Sequence, residues 1–289
     1  MSLHQIDETR IPRIIHQTYP GNALPEDLAR NVAAIKAMNP QWEHRLYDDA
    51  AIEVFIASAY GDDILAAYRS VDARYGAARA DLFRYLVIHA QGGVYLDIKS
   101  ATFAPLDTTI RHDDIMLLAQ WRNEPGEPHE GAGMAGPMQQ FPGGEFQQWH
   151  VIAAPGHPFL AAVIAKVLGN IKAYRPWIHG TGRRAVIRLT GPIAYTLAID
   201  QIRDRHPHRL VRGEDAIGLT YSVLASHTAH RNMFATHYSK NTMPLVVADG
   251  FTGIAGRAFG NLKRALMPVL EPSERIVKSA VLGWRAARR

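Results

Sequence analysis

Residues 75–100, "YGAARADLFRYLVIHAQGGVYLDIKS", decide how the chain reads. Ala77 to Ala90 holds no Gly or Pro and predicts a helix, which Gln91-Gly92-Gly93 closes. "VYLD" follows as a short buried strand, so Asp97 falls at a strand's carboxyl end. Ligands collect there in open α/β sheets. In extended chain residues 97 and 99 point the same way, so Asp97 and Lys99 are expected to face one ligand. A surface ion pair at a strand end is the plainer alternative. Upstream, Asp81 and Arg84 are three residues apart and share one helix face. Their neighbours are apolar, so both charges need partners. Either they pair within the helix, worth a few tenths of a kcal/mol if exposed, or they hold a ligand.

Outward from this stretch, strands alternate with helices. "IPRIIHQTY" (11–19), "WEHRLYD" (42–48), "DIMLLAQW" (114–121) and "FQQWHVIAA" (146–154) read as strands. "PEDLARNVAAIKAM" (25–38) places Leu28, Val32, Ile35 and Met38 on one helical stripe. Further helices are expected over "AAIEVFIASAY", "DDILAAYR", 157–171 and 192–205. The pattern predicts an α/β fold with a mostly parallel central sheet flanked by helices. The simplest division is one domain, 1–261, with a mobile Gly/Pro-rich loop at 121–146 and a basic amphipathic tail at 262–289.

The chain has 289 residues, ample for a core. It has no cysteine, which excludes disulfides, thiolate zinc sites and a Cys nucleophile. The formal charge is +5, and residues 262–289 alone carry seven Lys or Arg against two Glu. The remainder is near neutral, so a nucleic-acid-binding surface is not expected. In 273–289, Ile276, Val277, Ala280, Val281 and Trp284 form an apolar stripe edged by basic residues. That segment reads as a contact with anionic membrane or as a helix packed on the core. The N-terminus lacks a signal-peptide pattern and no apolar run nears the ~18 residues that span a bilayer. A cytoplasmic protein, at most peripheral on the cytoplasmic membrane face, is expected.

The stretch "ARADLFRYLVIHAQGGVYLDIKS" resembles the signature of glycosyltransferase family 32, the DXD-containing sugar transferases. It is also similar to the matching segment of the clostridial glucosylating toxins. "IPRIIHQTY", "NPQWEHRLYDD", "APGHPFL" and "LTGPIAYTL" resemble other family segments, so the resemblance runs from about residue 11 to about 200. It implies a GT-A-like fold, a UDP- or GDP-sugar donor, a glycan or lipid-linked acceptor and retention of anomeric configuration. By motif position, His16, Gln17 and Thr18 would lie beside the nucleotide. Asp81, Arg84 and Gly93 would hold the donor sugar, and Asp97 would be the first DXD acid. His237, with Ser239 and Lys240, would neighbour the diphosphate or its metal. Thr190 and Gly191 are an acceptor guess added to a plain helix start, with Thr190 as N-cap and Pro192 near the first turn.

Lys99 departs from the family pattern, because an ammonium has donors only and cannot ligate a metal. Two alternatives follow. Lys99 places its charge on the diphosphate without metal, or Mn²⁺ or Mg²⁺ binds through Asp97, His237 and the diphosphate. Two other functions stay open: sugar-nucleotide binding without turnover, and an NAD-dependent oxidoreductase using "GAGMAG" (131–136). No strand leads into that motif, so a loop, acting as a lid over the donor, is the better reading. His227 and His230 have metal-ligand spacing, but among 14 histidines chance spacing is the plainer account.

Overall fold

The computed structural model describes residues 10–21, 23–224, 241–248, 250 and 252–266. The chain runs β1 (Ile14–Thr18), α1 (Glu26–Met38), β2 (Glu43–Tyr47), α2 (Asp49–Tyr60), α3 (Asp62–Ser70), α4 (Gly76–Gln91), β3 (Gly93–Leu96), β4 (Ala101–Thr102), α5 (Leu106–Thr109) and β5 (Met116–Gln120). It continues through β6 (His150–Ala153), α6 (Pro158–Ala173), α7 (Pro176–His179), α8 (Gly182–Leu189), α9 (Pro192–Asp200), β7 (Arg209–Arg212) and β8 (Leu219–Thr220). Residues 252–266 are helical.

Six strands form one sheet in the order β2-β1-β3-β6-β5-β7. The β1–β2, β1–β3 and β5–β7 pairs are parallel, whereas β6 runs antiparallel to both neighbours. The sheet is therefore mostly parallel, as the alternation of elements implies, with one reversed strand. A second, two-stranded sheet pairs β4 with β8.

Side chains alternate across the strands and build a core on each face. Tyr95, Met116, Leu118 and Val151 pack under α2, α4, α6, α8 and α9. Val94, Leu96, Leu117 and Ile152 pack on the other side with Ile35 of α1 and Ile217. α4 is apolar nearly all round, and every residue from Asp81 to Ile88 is buried. A helix of that composition belongs at the centre of a molecule. Gly92 ends it at φ +67°, its N–H donating to the Ile88 carbonyl at 2.8 Å.

Several expected bounds shrink. The strand at 146–154 begins only at His150, because Phe146 makes a single bridge to Gln120. The helix at 192–205 stops at Asp200. β7, with only four residues, and the amphipathic α8 were not expected from the sequence. The tail from 267 onward, including the 273–289 stripe, lies outside the described residues, as do His227, His230, His237, Ser239 and Lys240.

Candidate active site

The carboxyl ends of β1, β3 and β5 point to one end of the sheet, and the reversed β6 begins there. Thr18, Asp97, Trp121 and Trp149 thus converge on one cavity of about 1090 Å³. That is roomy against the ~300–1,000 Å³ of typical small-molecule sites.

Asp81 and Arg84 are the partners that the apolar helix demanded. Arg84 is 4% exposed, and its Nη2 lies 2.9 Å from Asp97 Oδ1 and 3.4 Å from Asp81 Oδ1. Its Nη1 donates to the Gln148 carbonyl (2.5 Å) and to Gln148 Oε1 (2.9 Å). The guanidinium also lies 4.7 Å from the Tyr95 ring centroid. Asp81 accepts from Thr190 Oγ1 at 2.8 Å and from Gln148 Nε2 at 3.2 Å. Burial works against the Arg84 charge, but Asp97, Tyr95 and Asp81 outweigh it and hold the group charged well above its usual range. For Asp81 burial wins over Arg84 and raises its carboxyl. The intrahelical pair and the shared site are therefore one arrangement: Arg84 bridges the helix carboxylate to the strand-end carboxylate.

The backbone after Leu96 turns instead of running on. The Ser100 N–H donates to the Asp97 carbonyl at 2.8 Å, and Asn31 Nδ2 pins the carbonyls of Ile98 (3.2 Å) and Ser100 (2.8 Å). Asp97 and Lys99 both line the cavity, but through this turn and not through strand alternation. Lys99 Nζ donates to Tyr221 Oη at 2.8 Å and lies 4.0 Å from that ring's centroid. No sequence signal links residues 99 and 221.

Several of the residues expected beside a ligand do not line this cavity. His16 is buried, bonded to Tyr47 Oη (3.0 Å) and the Gly92 carbonyl (3.1 Å), and does not line the cavity. Burial pushes its imidazole down to about 4. Gln17 reaches the Asp97 carbonyl at 3.3 Å and His44 at 2.8 Å, so it positions the turn from below. Thr18 alone of the three lines the cavity, with its hydroxyl 3.1 Å from Tyr95 Oη. Gly93 packs on β1, where a Cβ would meet the Ile14 carbonyl oxygen at 2.5 Å, and it too is absent from the lining. Thr190 does not cap α9. Its N–H closes α8 on Val186, and its hydroxyl serves Asp81. Neither Thr190 nor Gly191 lines the cavity, and the Thr190 hydroxyl supports Asp81 from beneath. "GAGMAG" runs through turns and a bend into a short 3-10 helix, Gly136–Gln140, and opens no α-helix, in keeping with a loop.

Among the described residues no three His, Asp or Glu side chains group as a metal site. The one carboxylate at the strand end is already paired with Arg84, and a cation stands two residues on. His237, the other protein ligand expected for a metal, lies outside the described residues.

Residues 25–116 match the family described as "Glycosyltransferase sugar-binding region containing DXD motif". The match is confined to this region, about a third of the chain. The sugar-binding region contains α4, β3 and the Asp97 turn. Over 196 residues the chain is 27% identical to the initiation-specific alpha-1,6-mannosyltransferase of Schizosaccharomyces pombe, covering 65% of this chain and 48% of that protein. Over 102 residues it is 33% identical to inositol phosphoceramide mannosyltransferase 3 of the same organism, covering 35% and 28%. Among solved structures, the PaToxG glycosyltransferase aligns with a TM-score of 0.44 and 17% identity over 66% of this chain and 68% of that one. The chain spans about half the length of the first of these relatives.

Proposed function

We propose that the protein is a retaining GT-A glycosyltransferase that moves a hexose from a nucleotide sugar to a hydroxyl of a glycan or glycolipid. The observation that carries this reading is the buried Asp81–Arg84–Asp97 array opening, with Lys99, into the large cavity. Such an array offers fixed acceptors and donors for sugar hydroxyls, with no rearrangement at the moment of reaction. The relatives are named mannosyltransferases, which makes mannose the first hexose to test.

In this reading the bond between the donor's anomeric carbon and the diphosphate oxygen breaks, and the electron pair leaves with the nucleoside diphosphate. The acceptor hydroxyl oxygen bonds to the anomeric carbon on the same face. Its proton passes to the departing diphosphate. Lys99 supplies the positive charge that stabilises the leaving group, in place of a divalent ion. A peripheral contact with anionic membrane through 273–289 would bring a lipid-linked acceptor to the site.

The test is release of nucleotide from UDP- and GDP-hexoses, with mannose among them, in EDTA and with Mn²⁺. Turnover that persists in EDTA and falls 100-fold or more in Lys99→Ala supports the metal-free mechanism. Loss in EDTA, restored by Mn²⁺, overturns it. Binding of a nucleotide sugar without any turnover would instead favour a sugar-nucleotide-binding protein, for which Lys99 beside Asp97 is the motivating observation.

A further inference from the structure

Trp121 and Glu145 stand 24 residues apart in sequence yet share a hydrogen bond, Trp121 Nε1 donating to Glu145 Oε1 at 3.3 Å. The Gln120–Phe146 bridge brings their backbones together at the end of β5. Gly133 completes the packing at φ +72°. A Cβ there would meet Trp121 Cδ1 at 2.7 Å and Glu145 Cγ at 2.9 Å, and the Gly133 carbonyl accepts from the Glu145 N–H. The Trp121 ring also stands edge-on to Tyr221, with centroids 5.4 Å apart, and Tyr221 in turn holds Lys99. Trp121, Gly133, Glu145, Tyr221 and Lys99 all line the same cavity.

This wall differs in chemistry from the Arg84–Asp97 floor. It presents aromatic surface, with His129 packed against the Trp121 ring at 4.9 Å between centroids, and Glu145 at its edge; Glu130 and Arg183 line the cavity as well. Carboxylates repel a diphosphate, so the nucleotide's phosphates belong on the Lys99 side. A neutral sugar ring suits the wall. Its C–H face is apolar and packs on an indole. Its hydroxyls donate to a carboxylate, which accepts several bonds beyond the one from Trp121. Burial raises the Glu145 carboxyl, while the Trp121 bond and Arg183 act in the opposite direction.

We propose that Trp121 and Glu145 form the subsite for the acceptor's hexopyranose, the ring lying on the indole with two of its hydroxyls on the carboxylate. The assignment rests on the transferase reading of the cavity. Tyr221 joins the two halves, since it touches both Lys99 and Trp121.

The test supplies methyl hexopyranosides (mannoside, glucoside and galactoside) as acceptor probes and measures transfer to sugar against hydrolysis of the donor by water. Wild type is expected to glycosylate at least one of them. In Glu145→Gln and Trp121→Ala the ratio of transfer to hydrolysis is expected to fall tenfold or more. An unchanged ratio in the near-isosteric Glu145→Gln overturns the subsite, as does a wild type that hydrolyses the donor but uses none of the glycosides. If no donor is turned over, the transferase reading fails and the subsite is still read by saturation-transfer NMR on the same glycosides. Signal in wild type that Glu145→Gln abolishes supports it; no signal in wild type overturns it.

Discussion

Arg84 is one guanidinium shared by two carboxylates, a carbonyl and an aromatic face. Lysine has a single nitrogen and cannot serve these partners together. Removing the charge leaves Asp81 and Asp97 facing each other without compensation, and Asp81 is buried. Arg84→Met is therefore expected to cost about 3–5 kcal/mol of stability. Asp97→Asn, at a side chain 24% exposed, is expected to cost less. Urea denaturation of both variants checks this order, and an Arg84→Met midpoint equal to wild type would refute it. The need for partners was legible in the sequence, because two charges lay in an apolar helix. The identity of Gln148, Thr190 and Tyr221 was not. Those side chains arrive from 64, 109 and 122 residues away, and no local pattern carries such a pairing.

At the scale of elements, α4, β3 and the break between them are written in local chemistry: an unbroken apolar helix, two glycines, a buried strand. What the sequence hid was the turn after Leu96 and the reversal of β6, both set by tertiary hydrogen bonds. The two kinds of glycine make opposite predictions. Gly93→Ala drives a methyl into the Ile14 carbonyl at φ +95°, so it is expected to lower the melting temperature markedly or prevent folding. Gly169→Ala falls within α6, where a Cβ meets nothing within 4 Å, and is expected to stabilise by about 0.5–1 kcal/mol. Thermal melts of both variants decide the matter. A neutral Gly93→Ala would mean that β1 and β3 pack less closely than described.

At the scale of the whole molecule, buried histidines set the response to acid. Burial holds His16 near 4, His150 near 3 and His157 near 4. Well above the ordinary histidine value of about 6.5 these groups are neutral in both the folded and unfolded chain. As pH falls from there towards 4, the unfolded chain takes protons that the fold refuses, so stability falls. Each histidine contributes up to about 1.4 kcal/mol per pH unit in that window. Asp81 and Glu145, whose carboxyls are raised, act in the other sense at lower pH and offset part of the loss. Denaturation midpoints at pH 7.5, 6 and 5 are expected to drop steadily, and a flat profile would sink the account.

β5 and β6 are antiparallel neighbours, with Leu117 opposite Ile152, and the chain between them leaves and returns at the same rim. Residues 122–145 are thus a cassette hung on a hairpin, outside the strands that carry Asp97 and outside the helix that carries Arg84. The cassette is tied back to the sheet edge, where Arg212 of β7 pairs with Glu124 and Glu127, and Glu214 pairs with His129. Trp121 and Glu145 stand at the two ends of this segment, so a graft meant to move a preference for one recipient to another chain has to carry both ends, residues 121–145, together.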